Sequence, residues 1–72
     1  MQYDNHETDL YILPESEEER QKIIFILEND FVMWDWNWQY SNVKGNSWYG
    51  KHFIDMPFGI DLKDQIISLM KG

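Results

Sequence analysis

A chain of 72 residues has room for one domain, and at this size folding buries only about 60% of the surface exposed by the unfolded chain. The absence of cysteine excludes disulfides and thiolate metal centres, and the longest apolar runs, residues 10–13 and 23–27, are far shorter than the roughly 18 residues needed to span a bilayer. A formal charge of −7 argues against direct binding of a nucleic-acid backbone or an anionic membrane.

The charge is unevenly placed. Residues 1–35 carry ten acids against Arg20 and Lys22, whereas residues 36–72 carry three acids against four lysines. The N-terminal half is therefore the anionic one, and its field would steer a partner with a basic surface. Aromatic residues make up 17% of the chain, an efficient way to build a core in a short sequence because each large ring can bury about 150–250 Å². No basic, apolar, small-residue signal pattern opens the sequence, so a cytoplasmic location is expected.

Residues 1–8 are polar and without periodicity, which suits a loose lead-in (residues 1–7) or the outer end of a first strand, in a single domain covering residues 1–72. Residues 8–13 turn apolar around Tyr11 and Ile12, both good strand formers, and Pro14 stops the run, which predicts a strand. Ser16 with Glu19 three residues on is a capping box, and three acids in the first turn suit the positive end of a helix dipole. Ile23, Ile24, Ile26 and Leu27 then share one side at 100° per residue, which predicts a helix over residues 17–29 with a core-facing stripe. Phe25 falls on the opposite side, among Glu18, Gln21, Lys22 and Glu28, where amphipathicity does not account for it.

In residues 31–40, Trp34, Trp36, Trp38 and Tyr40 recur at every second position, the period of a strand that sends alternate side chains to opposite faces. A second extended stretch over residues 47–56 ends at Pro57. Gly45 suits the left-handed position of a three-residue loop at residues 43–45, a hairpin that pairs Tyr40 with Trp48, Trp38 with Gly50, Trp36 with His52 and Trp34 with Ile54, whereas a two-residue turn would set Trp36 and Trp38 against Phe53 and Lys51. After the break at residues 57–59, Leu62, Ile66, Leu69 and Met70 align on one side of a short helix over residues 62–71, ending at Gly72.

These elements predict an α+β fold, a β-α-β-β-α domain whose three-stranded sheet carries both helices on one face. The tryptophan face is expected to be the floor of the core, because three exposed indoles would form an apolar patch of several hundred Å². The other face, with Asp35, Tyr49, Phe53 and Asp55, is expected to be open.

Catalytic signals are sparse. His6 and His52 are the two side chains that ordinarily titrate near neutrality, and neither stands beside a serine or cysteine in a recognised nucleophile setting. Residues 15–19 lack the alternating ligands and glycine of a calcium loop, and the scattered glycines at 45, 50, 59 and 72 form no phosphate cradle. No enzyme activity, cofactor or metal is expected.

The leading expectation is a small acidic protein-interaction module that binds a basic protein partner. Glu15, Glu17, Glu18, Glu28 and Asp35 would steer the approach, with Phe25, Tyr49 and Phe53 as anchors. In type, though not in motif, such a compact, cysteine-free, acidic chain resembles the small inhibitors of phages and mobile elements, or immunity proteins that block a nuclease; the likeness implies action in a host cytoplasm. Two alternatives remain: stacking of a sugar or nucleotide on the tryptophan-rich face, and a homodimeric structural subunit.

Overall fold

The computed structural model describes residues 1–71. Chain order is β1 (Gln2–His6), β2 (Asp9–Leu13), α1 (Glu17–Asp30), β3 (Asn37–Tyr40), β4 (His52–Met56), a 3₁₀ turn (Ile60–Leu62) and α2 (Lys63–Lys71). The strands form one antiparallel sheet in the order β1-β2-β4-β3, so the fold is α+β with two helices, but with four strands rather than three.

The additional strand is β1, a separate strand formed by residues whose polarity suggests a loose lead-in or the outer end of the strand that follows. It pairs along its whole length with β2, from Gln2 opposite Leu13 to His6 opposite Asp9. Glu7 takes a left-handed φ of 57° in the two-residue turn between them. An edge strand needs only one covered face, and here Met1 and Tyr3 supply it by packing against the core, with Tyr3 directly opposite Ile12. Two apolar residues in seven were too few to betray the strand by alternation.

α1 starts where the capping box places it. Ser16 Oγ accepts from the Glu19 amide at 3.1 Å, while the Glu19 carboxylate accepts from the amide of Glu15, one residue before the cap. Ile23, Ile26 and Leu27 are buried as the stripe predicts. α2 joins the same core through Ile66, and the Lys22 ammonium of α1 donates to the Met70 carbonyl at 2.7 Å, tying the two helices together. Gly72, expected to end α2, lies outside the described residues. At Gly59 a side chain has no room, since a Cβ there would stand 2.7 Å from that of Met56.

The tryptophan ladder is the main departure. α1 runs to Asp30, and the chain must turn before it can enter the sheet, so Trp34 donates its amide to the Phe31 carbonyl in a turn. The indole of Trp34 reaches instead to the Pro57 carbonyl at 3.0 Å. β3 is thus only four residues long, and it lies against β4 with Trp38 opposite Ile54 and Tyr40 opposite His52. The connection is not a three-residue hairpin. Residues 41–51 make a loop of successive turns closed by hydrogen bonds between Ser41 and Gly50 and Lys51, with Gly45 left-handed at 89° as expected. Relative to the expected pairing the register is displaced by four residues, an even number, so every side chain keeps its face.

β4 sits between β2 and β3 and is antiparallel to both, so β2 and β3 run parallel across it. The core lies between this sheet and the two helices and consists of Leu10, Ile12, Ile23, Leu27, Ile54, Met56 and Ile66. Of the ladder, Trp36 packs against the rim of this core, whereas Trp34 and Trp38 remain 36% and 43% exposed and Tyr40 54%. Aliphatic side chains from β2 and β4 form the floor that the indoles were expected to provide.

Candidate interaction surface

Because Leu10, Ile12, Ile54 and Met56 face the helices, their chain neighbours Asp9, Tyr11, Phe53 and Asp55 point to the opposite, helix-free face. β1 adds Asp4 opposite Tyr11 and His6 opposite Asp9, and β3 adds Asn37 and Gln39. Rings run across this face in unbroken sequence. His6 stacks on Tyr11 with centroids 5.4 Å apart and planes 8° from parallel, Tyr11 meets Phe53 at 4.8 Å, and Phe53 meets Trp48 at 5.7 Å.

Trp48 comes from the long loop, which folds over this side of the sheet. Its indole N–H donates to Gln2 Oε1 at 3.1 Å and its amide to Asn46 Oδ1 at 2.8 Å, and it is only 7% exposed. Between the loop and the sheet lies a cavity of about 370 Å³ lined by Asp4, His6, Tyr11, Tyr40, Asn42 and Trp48, with Phe53 in its wall.

Carboxylates gather at the β1–β2 end of the row. Burial and then the negative charges of Asp55, Asp9, Asp4 and Glu7 raise the Tyr11 hydroxyl above its ordinary pKa. Burial is also the main reason that Asp55 is pushed up to about 6, with its hydrogen-bonded neighbour Asp9 adding to the effect and His6 opposing it. Asp55 Oδ1 is buried and meets no donor among the described residues, whereas Asp9 Oδ1 accepts from the amide of Phe58 at 3.2 Å. Since Asp9 is itself a carboxyl, its hydrogen bond with Asp55 forms only when Asp55 carries a proton to share, which favours the protonated form of Asp55.

This pair sets a pH dependence. Asp55 has a higher pKa in the folded chain than in the unfolded one, so its stabilising contribution is complete at acid pH and is lost as pH rises from about 4 through about 6. Asp55→Asn supplies a permanent donor to Asp9. After allowance for solvent screening, the variant should be more stable than the parent by about 1 kcal/mol at pH 7 and equal to it near pH 4. Urea unfolding at both pH values checks this, and a pH-independent difference would refute the shared proton.

The residues expected from sequence to form one site are distributed over several separate parts of the surface. Glu18, Phe25 and Glu28 line the outer face of α1, with Phe25 65% exposed, on the side of the molecule away from the cavity. Glu15 and Glu17 lie at the start of α1 in internal pairs: Glu15 with the Met1 ammonium at 3.3 Å, Glu17 with the Arg20 guanidinium. Both carboxyls are held below the usual range, Glu15 first by its hydrogen bond from Gln2 and Glu17 first by that from Arg20. Asp35 is exposed in the segment leading into β3. Tyr49 is exposed beside Trp48 on the loop rather than on a strand, and Phe53 alone of the eight sits within the aromatic row. Asp4, His6, Tyr11 and Trp48 were not anticipated. The first two required knowledge of β1, and Trp48 required the true loop length.

A second groove, about 540 Å³, runs along the start of α1 past Trp38, Lys51 and His52. There Trp38 stacks on His52 at 5.6 Å and the Arg20 guanidinium lies 5.6 Å from its ring centroid, so this indole already has partners on hand, and Glu15 and Glu17 stand among Arg20 and Lys51. With Trp34 bonded to Pro57 and Trp36 in the core rim, the indoles do not form one continuous stacking platform.

Among the described residues no group of three or more histidine or acidic side chains is placed to hold a metal ion, and no helix is long and apolar enough to cross a membrane. Comparison with protein-family models, with curated proteins and with solved structures returns no match.

Proposed function

We propose that the chain is a small non-enzymatic interaction module that holds a basic protein partner against the helix-free face of its sheet. The observation that supports this most directly is the cavity-bearing aromatic row His6, Tyr11, Phe53 and Trp48, with Asp4, Asp9 and Asp55 at its edge and neither lysine nor arginine in the cavity lining. Large rings supply anchoring area, and unneutralised carboxylates beside them select a cationic surface and accelerate its approach. The acids on α1 extend the same negative field around the molecule without contacting the partner. An inhibitor role, in which a nucleic-acid-handling or toxin-like enzyme is blocked at its basic surface in a shared cytoplasm, is the use such a module serves best.

The immobilised protein should retain proteins of high isoelectric point from a cell extract, with retention falling as salt is raised from 50 to 300 mM on the order expected for screened charges. Retention should be lost in the Asp4→Lys/Phe53→Ala double variant and preserved in Glu18→Lys/Phe25→Ala. The opposite pattern would move the contact to α1, and retention unaffected by either pair would overturn the reading.

A further inference from the structure

Resting on the reading just given, we infer that the cavity between the long loop and the helix-free face of the sheet is a receptor for a single arginine side chain of the partner. Tyr11, Phe53 and Trp48 place aromatic groups around a space of about 370 Å³, within the roughly 300–1,000 Å³ range of clefts that hold small ligand groups. The ring sequence Tyr11–Phe53–Trp48 is tilted at each step, by 45° and 54°, so the wall curves instead of presenting one flat plane.

Such a wall attracts a cation held over a ring face. The polar residues of the lining include Asp4, Ser41, Asn42 and Asn46, among which Asp4 is the acid. Asp4 is exposed and has no ion-pair partner among the described residues, and its Oδ1 accepts only the amide of Asn5, next in the chain. Asp4 stands directly across from Tyr11, so its carboxylate and that ring belong to one cross-strand pair.

Arginine fits this lining better than lysine does. Its guanidinium is planar, stacks on aromatic faces and is weakly hydrated, and it presents several N–H groups in one plane to a carboxylate and an amide oxygen together. An ammonium is a compact, strongly hydrated charge that would lose more water on entering a partly closed space. The neighbouring carboxylates of Asp9, Asp55 and Glu7, whose field already reaches Tyr11, raise the local concentration of any cation near the mouth.

The test uses the whole protein and a neutral-ended tripeptide, acetyl-Gly-Arg-Gly-amide, titrated in an amide and indole NMR experiment. Saturable shifts are expected at the Trp48 indole N–H and at the Tyr11 and Phe53 amides. The matched citrulline peptide, which has nearly the same shape without the charge, should bind about tenfold more weakly, and the lysine peptide about threefold more weakly. Asp4→Asn, an exposed and nearly isosteric change, should weaken the arginine peptide several-fold while leaving the rest of the spectrum in place. Equal binding of arginine and citrulline peptides, preference for lysine, shifts confined to Glu18, Phe25 and Glu28, or no shift at Trp48 would each overturn the inference. If the titration fails while the immobilised protein still retains basic proteins through Asp4 and Phe53, the arginine receptor falls and the interaction reading stands; if both fail, both fall.

Discussion

Trp48→Ala is expected to lower the unfolding free energy by about 3–4 kcal/mol, the range for removing a large buried aromatic ring. Trp48 is the least exposed indole of the four, although it comes from a loop. Its ring is packed against Phe53, its indole N–H is hydrogen-bonded to Gln2 on the opposite edge strand, and its carbonyl accepts from Lys51 where the loop re-enters the sheet. The substitution removes the ring and leaves Gln2 without its donor. With a slope of about 1 kcal/mol/M in urea, the midpoint should fall by about 3 M, and the thermal midpoint by more than about 12 °C. Far-UV circular dichroism is the appropriate readout, because the mutation removes a fluorophore. Trp38→Ala provides the contrast. That ring is 43% exposed and touches His52 and Arg20 at the surface, so the cost should stay near 1 kcal/mol. Equal costs for the two variants would show that the loop does not cap this face. Trp48→Phe, which keeps a ring against Phe53 and deletes only the hydrogen bond, should cost about 1 kcal/mol.

That contrast reverses what the spacing of residues 34–40 suggests, and the reason is instructive. Period-two spacing reports which side chains share a face only if the segment is extended throughout, and nothing local in FVMWDW distinguishes a strand from a turn after a helix. The signals tied to a specific backbone hydrogen bond were legible: the Ser16 cap, the stop at Pro14 and the left-handed Gly45. So was the aliphatic stripe of α1, because a helix without a covered face would not be stable alone. The length of the loop at residues 41–51 was not legible, since Gly45 is compatible with a short hairpin and with a turn inside a longer connection. The face of each strand residue survived this misreading because the displacement was even. Phe53 and Asp55 therefore lie on the open face, as expected from parity alone. The candidate cavity stayed hidden for a different reason. It joins β1, β2, β4 and the loop, and only the sheet order brings Asp4, Tyr11 and Trp48 together.

Ile54→Ala should be the most damaging single truncation in the core, at about 3–5 kcal/mol. Ile54 is wholly buried on the strand that joins the two halves of the sheet, with Ile12 opposite it on one side and Trp38 on the other. Its side chain belongs to the cluster shared with Ile23 and Leu27 of α1 and Ile66 of α2, so the cavity it leaves cannot be closed by shifting one element alone. A domain of this length has a total stability of about 4–11 kcal/mol, so the variant should be partly unfolded at 37 °C and folded in the cold. Ile54→Val removes one methyl group and should cost about 1 kcal/mol, a difference measurable by urea unfolding at 10 °C. The same position links stability to the candidate site. Its neighbours Phe53 and Asp55 project to the other face of β4, so loosening this strand loosens the aromatic row from beneath. In cold, folded samples Ile54→Val should bind the arginine peptide as the parent does, whereas any loss of binding in Ile54→Ala should follow its unfolded fraction. A binding defect in Ile54→Ala that exceeds the unfolded fraction measured by circular dichroism would mean that packing on the core side sets the geometry of the aromatic row.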